Sequence, residues 1–267
     1  MTLIIIGITI VVIVTIVFIG ISSIQRNVNQ EKNALFTSNN EDKLISKDDL
    51  DSFPDLMKNY LINVKVIGKP KYCNAVFSQK GKIRTNPEKD WLPFTATQYI
   101  SSYNPGFIWN AKAFPMLIRD KYQEENGEVK ISLLGLKKIA QHSGPEVDQS
   151  SLGRYFGELI WFPIGFLDSD IFWEQLDTKT VKGVISKGGI KLEGHFIFDE
   201  NGMIDSFKTK RYRDTVLENF IGEVGKYKDY DGVLIPETMT AIWDLKDTRL
   251  EYFKADIIDY NLEPTTP

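Results

Sequence analysis

Ser151-Leu-Gly-Arg-Tyr-Phe-Gly-Glu-Leu-Ile-Trp161 is a helix signal set among alternating, strand-like segments. Leu152, Tyr155, Phe156, Leu159 and Ile160 follow the i, i+3, i+4, i+7, i+8 rule, Ser151 stands at the cap and Pro163 ends the pattern. The other side carries Gly153 and Gly157, each costing ~1 kcal/mol in an exposed helix. Glycines four apart make sense where another backbone comes close, so both sides of this helix are predicted to be covered. A short helix covered on both sides predicts a mainly β (α+β) fold, a strongly curved antiparallel sheet or half-barrel with the helix in its concavity.

The flanking sequence supplies the strands. Phe94 to Ile100 and Phe107 to Ala113 alternate around Asn104-Pro105-Gly106, which predicts a hairpin. Ile190, Leu192, Phe196 and Phe198 share one phase, Asp199-Glu-Asn201-Gly202 turns the chain, and Phe207 lies on the return. Met239, Ala241, Trp243 and Leu245 are in phase on Thr238 to Leu245, and Glu251 to Tyr260 closes the series. Gaps between these strands are too short for βαβ crossovers, so the order is predicted to be mostly sequential and antiparallel. A short helix is expected at the start of the domain, capped by Ser52, with Leu56, Met57, Tyr60 and Leu61 on one face.

The N-terminus reads differently. Leu3 to Ile21 is an uninterrupted apolar run, and the first charge is Arg26. That is close to the ~20 residues a helix needs to cross ~30 Å of hydrocarbon, where only a helix satisfies its own backbone. A cleaved secretory signal, which needs a basic n-region, a shorter apolar region and small residues at the cleavage site, fits the run poorly, and the Cys that follows a lipoprotein signal is absent. Four segments are expected: a transmembrane anchor at 1–24, an Asn-rich polar tether at 25–46, a curved antiparallel β-domain at 47–262 and a tail at 263–267. Arg26 and Lys32 after the span would by themselves place the domain in the cytoplasm.

With 32 basic and 36 acidic side chains, the chain lacks the cationic excess of a nucleic-acid binder, and no nucleic-acid partner is expected. Cys73 is alone, which excludes an intrachain disulfide. No G-x-S-x-G, S-x-x-K, Walker or dinucleotide-binding motif occurs, so no catalytic residue or cofactor is assigned. His142, in a Gln-His-Ser-Gly-Pro loop, fits no metal-ligand spacing with Glu146, Asp148 and Glu158, and no metal site is expected. His195 lies on the polar phase of a strand, and Asp168-Ser-Asp170 and Asp229-Tyr-Asp231-Gly232 are read as turns, lacking the remaining calcium ligands.

Two features point to ligand binding. Arg154 and Glu158 stand i, i+4 on the central helix: they form either a structural ion pair or, if desolvated beside a cavity, a site for an anionic headgroup or an acid or base. Five tryptophans are spread over the predicted elements, while Ala96, Ala111, Ala113 and Ala241 leave room between large residues. Such strands form a solid core or line an apolar pocket. The candidate ligand-binding residues are Arg154, Glu158, Tyr155, Trp109, Trp161, Trp243 and Gln98.

Trp91-Leu-Pro-Phe-Thr-Ala-Thr-Gln98, Pro105-Gly-Phe-Ile-Trp-Asn-Ala111, Gly153-Arg-Tyr-Phe-Gly-Glu-Leu-Ile-Trp-Phe-Pro163 and Gly232-Val-Leu-Ile-Pro236 together resemble an uncharacterised prokaryotic family of membrane-anchored or exported domains, from about Ser52 to Tyr260. The arrangement is similar, as an analogy of fold, to the LolA, LolB and LppX group of lipid- and lipoprotein-carrying proteins. The resemblance implies an apolar ligand between sheet and helix and a domain outside the cytoplasm; it carries over no catalytic residue. Three functions stay open: a membrane-anchored protein binding a lipid or other hydrophobic ligand, an enzyme on a membrane-proximal substrate with Glu158 as acid or base, and a protein-interaction scaffold.

Overall fold

The structure, a computed structural model, describes residues 2–37 and 43–264. Helix α1 (Thr2–Phe36) and helix α2 (Asp55–Asn63) precede six up-and-down strands: β1 (Cys73–Ile83), β2 (Leu92–Ser101), β3 (Gly106–Ala113), β4 (Met116–Gln123), β5 (Asn126–Leu133) and β6 (Lys137–Ser143). Helix α3 (Pro145–Glu158) and the 3-10 turns Leu159–Trp161 and Pro163–Leu167 lead to β7 (Ile171–Gln175), β8 (Thr180–Lys187), β9 (Ile190–Phe198), β10 (Ile204–Arg213) and β11 (Val216–Val224). A small hairpin, β12 (Tyr227–Tyr230) and β13 (Val233–Pro236), precedes β14 (Thr238–Leu245) and β15 (Thr248–Pro264).

All strands except that hairpin form one curled 13-stranded antiparallel half-barrel in the order β6-β5-β4-β3-β2-β1-β15-β14-β11-β10-β9-β8-β7. The expected hairpins are present as β2–β3 and β9–β10. The two wings are joined by β15, whose 17 residues pair with β1 and with β14. Register shifts at Ser78/Gln79, Ile131/Ser132, Ile204/Ser206 and Ala241/Ile242 mark bulges, which add twist and bend the sheet. Its edges, β6 and β7, are consecutive strands of the chain linked through α3. The helix therefore crosses the concave face to pass from one edge to the other, burying Leu152, Tyr155 and Phe156.

Local boundaries differ from the sequence reading. α3 begins at Pro145, because proline presets the first helical residue and Glu146 and Asp148 favour the first turn; Ser151 lies inside the helix and does not cap it. His142 is an exposed strand residue of β6. α2 begins after Pro54, without a cap from Ser52. β15 continues to Pro264, opposite Cys73, so the expected tail starts inside a strand; residues 265–267 lie outside the described residues.

The largest difference is at the expected tether. α1 continues unbroken through Phe36, while residues 38–42 lie outside the described residues. Val28 and Leu35 are each 1 % exposed and pack with Phe36 on Ile108, on the outer face of β3. Glu31 makes ion pairs with Arg119 at 3.4 Å and Lys121 at 3.0 Å on β4. Few apolar positions suffice here because they fall on one stripe against a sheet already formed. Gly20 touches Gly135 in the β5–β6 turn, and the carbonyl of Leu35 accepts a hydrogen bond from Asn104 in the β2–β3 turn at 3.0 Å. α1 thus runs down the outer wall from one rim to the other, and the residues before Gly20 lead away from the rim bearing the β3–β4 and β5–β6 turns.

Candidate functional site

The inner faces of the strands are set by alternation. On β4, Tyr122 packs against Tyr155 of α3, which puts Ile118 and Asp120 on the same inward phase, while Arg119 and Lys121 point out to α1. On β10, Phe207, Thr209 and Arg211 are the buried phase. α3 fills the base of the concavity between these wings. Gly153 faces side-chain carbons of Arg211 and Leu192, and Gly157 faces the Phe207 ring. Both sides of the helix are covered, as the glycines imply, by side chains and not by the backbone expected there.

Beside the C-terminal half of α3, packing leaves a cavity of about 200 Å³. Its walls come from both wings and include Trp109, Ile118, Phe220, Met239, Ala241 and Phe253. Its floor carries Arg154, Glu158, Asp120 and Arg211. The void exceeds the ~150 Å³ apolar hole that accepts benzene and falls short of the ~300–1,000 Å³ of drug-sized pockets.

Arg154 is the hub of the floor. Nε donates to Glu158 Oε1 at 2.8 Å, Nη1 to Asp120 Oδ2 at 2.7 Å and Nη2 to Gln98 Oε1 at 3.5 Å. Gln98 completes the ring by donating Nε2 to Glu158 Oε2 at 2.8 Å. The guanidinium also lies 4.6 Å from the Phe107 ring centre and 5.0 Å from that of Trp109. Burial by itself would lower the Arg154 pKa; the charges of Glu158 and Asp120 outweigh it and hold the pKa above the ordinary value. Asp120 Oδ1 is buried without a hydrogen-bond partner among the described residues.

Of the candidate residues, Arg154, Glu158 and Trp109 line the cavity, and Gln98 braces the floor beneath them. Trp243 shares the inward phase of Met239 and Ala241 but does not line the cavity, and its ring centre is 5.4 Å from that of Phe220. Tyr155 and Trp161 are elsewhere. Tyr155 stacks on Tyr122 at 6.3 Å in solid core, where burial pushes its phenol well above the ordinary pKa. Trp161 lies against Phe77 and donates Nε1 to the Pro236 carbonyl at 3.1 Å. Asp120 and Arg211 escaped the sequence reading, although each is a charge on the inward phase of a strand, two residues from a buried tyrosine and two positions beyond buried Thr209 respectively. Both oxygens of Glu158 are engaged, so the geometry makes it an anchor for Arg154.

A family model matches residues 43–255, nearly the whole β-domain. The chain belongs to DUF6544, a family of unknown function. The membership agrees with the resemblance of the four quoted segments. No curated protein matches the family member described here. Among solved structures, a LolA superfamily protein of Nitrosomonas europaea shares 10 % identity at a TM-score of 0.43, over 73 % of this chain and 87 % of that one. The ywiB protein of Bacillus subtilis shares 9 % identity at a TM-score of 0.21, over 73 % and 94 %. Both overlaps are loose, and the fold description stands on this chain's own strands.

Proposed function

We propose that this protein is a single-pass membrane protein that binds a lipid or similar apolar ligand in the half-barrel, beside the bilayer. The supporting observation is the apolar cavity between α3 and the curled sheet, with a charged floor and aromatic walls. Its position adds to this. Ile83, Ile118 and Ile131 lie toward the rim from which the apolar run of α1 departs, so the cavity is on the side a membrane-embedded α1 would hold against lipid. α1 is long and apolar enough to cross a bilayer, and Ile4 to Ile19 are almost wholly bare of protein neighbours. Phe114, 81 % exposed, and Leu136 crown the same rim.

The test uses the full chain in phosphatidylcholine nanodiscs with a phospholipid carrying a photoactivatable acyl chain. Labelling is expected in peptides containing Trp109, Met239 and Phe253, besides the apolar run of α1. Gly222 supplies the control, since a Cβ there meets nothing closer than Phe207 Cβ at 3.9 Å, and it lines the cavity. Gly222→Leu should fold, fill the void and abolish cavity labelling while α1 stays labelled. Cavity peptides that never label, or label equally in Gly222→Leu, overturn the proposal.

The proposal places the domain outside the cytoplasm, following the families its segments resemble and against Arg26 and Lys32. Burial pushes the Cys73 thiol up to about 12, so the native cysteine is silent toward thiol reagents. Asn201→Cys, in the exposed β9–β10 turn, should react with an impermeant maleimide on intact cells. Reaction only after lysis reverses the orientation.

A further inference from the structure

Two arginines reach the cavity floor, and they are matched differently. Arg154 is answered by both carboxylates there, Glu158 and Asp120. Arg211 arrives from the opposite wing, 6 % exposed, with Nε donating to the Ser150 carbonyl at 2.8 Å. Its guanidinium lies 4.4 Å from the Phe220 ring centre and 5.6 Å from that of Trp243. Among the described residues no carboxylate stands within 4.0 Å of it, including Glu218, its cross-strand neighbour on β11. Neither Nη atom has a hydrogen-bond partner among the described residues, neither is completely buried, and the residue lines the cavity.

A guanidinium removed from water without a counter-ion is costly, and two aromatic faces offset only part of that cost. With Nε committed to the helix, the two Nη groups are left as a fork, the geometry that grips a carboxylate through two parallel hydrogen bonds. Apolar wall from Met239, Ala241 and Phe253 belongs to the same void. We infer that Arg211 receives the carboxylate of a single-chain amphiphile, a fatty acid of which the carbons nearest the head lie in the cavity. A singly charged head is favoured over a phosphate: Asp120 and Glu158 against Arg154 already leave one negative charge across the floor, and a dianion would meet it with only Arg211 to compensate. This inference rests on the lipid-binding reading of the cavity.

The test compares photoactivatable analogues of palmitic acid and hexadecanol, equal in chain and different in head, with the full chain in phosphatidylcholine nanodiscs. Labelling of peptides containing Met239 and Phe253 is divided by labelling of the α1 apolar run, which both probes reach through lipid. The acid should exceed the alcohol by about tenfold or more, which is ~1.4 kcal/mol per decade. Arg211→Met should erase that preference, and Arg211→Lys, which keeps charge but loses the fork, should retain a fraction of it. Equal labelling by both probes in the wild-type chain, or a preference that survives Arg211→Met, overturns the head-group assignment while leaving an apolar ligand in place. Absence of cavity labelling by either probe overturns the cavity reading itself. Should Arg211→Met fail to fold through loss of the Ser150 contact, the wild-type ratio and Arg211→Lys decide.

Discussion

α3 and α1 lie against the same sheet on opposite faces, one enclosed by it and one leaning on it. α3 meets both wings: Gly153 faces Arg211 and Leu192, Gly157 faces Phe207, and Phe156 sits among Phe196, Phe207 and Trp173 with ring centres 5.2 to 5.9 Å apart. α1 meets one surface, through Gly20, Val28 and Leu35, and its first half touches almost nothing. The difference shows what a helical pattern encodes. Small residues opposite an apolar stripe announce a second surface in α3. A sparse stripe in a polar segment, as in residues 24–35, announces a single surface that is already flat and waiting.

Equal insertions at the two helices test this contrast. Gly157→Leu drives a side chain into the Phe207 ring, whose carbon would lie 2.7 Å from the new Cβ where the helix packs on β10 at the cavity wall. Overpacking of this kind costs ~1–3 kcal/mol or more, so the domain should melt at a clearly lower temperature, and Cys73 should become reactive as the core opens. Gly20→Leu meets the Gly135 backbone at 3.0 Å, but on the outside. Its effect on domain melting should stay within ~0.5 kcal/mol, while α1 lifts from the β5–β6 turn. If the two variants melt alike, α3 is not enclosed or α1 is not peripheral, and the contrast is lost.

The curved antiparallel sheet and its internal helix were legible because Leu152 to Ile160 and Ile190 to Phe198 carry unmixed periods of 3.6 and 2. The strands from Met116 to Ser143 were not, because β4 has polar groups on both faces. Arg119 and Lys121 serve α1 outside, and Asp120 serves Arg154 inside, so the hydrophobic alternation is blurred by two ionic functions. The cavity floor was half legible: Arg154 and Glu158 are four apart on one helix, but Asp120 and Arg211 reach it from strands 34 and 57 residues from Arg154 in either direction, a proximity only the closed sheet creates. The aromatic reading divided along the same line. Trp109 faces the void while Trp161 fills core, and nothing in the spacing of tryptophans separates a wall from a filling.

The smallest expected effect is a pH dependence that touches α1 and leaves α3 alone. Glu128 on β5 binds Arg119 and Lys130, the latter at 2.9 Å, and Arg119 in turn pairs with Glu31 of α1. Burial raises the Glu128 pKa, but the hydrogen bonds and charges of Arg119 and Lys130 outweigh it and bring the group down from 4.5 to about 2. A carboxyl depressed on folding binds fewer protons in the native state, so its contribution is complete above about 4.5 and drains away as the pH falls toward about 2. Since the group is partly solvated, screening keeps this contribution small. The α1 amides around Val28 should therefore lose protection against hydrogen exchange, relative to their intrinsic rates, as the pH falls between those two values, with a weaker response in Glu128→Gln, which lacks that carboxyl. The amides of α3 around Tyr155, held by core and by an arginine ring whose guanidinium stays charged, should keep their protection over the same interval; a parallel loss in both helices would mean that the outer clamp and the inner core open as one unit.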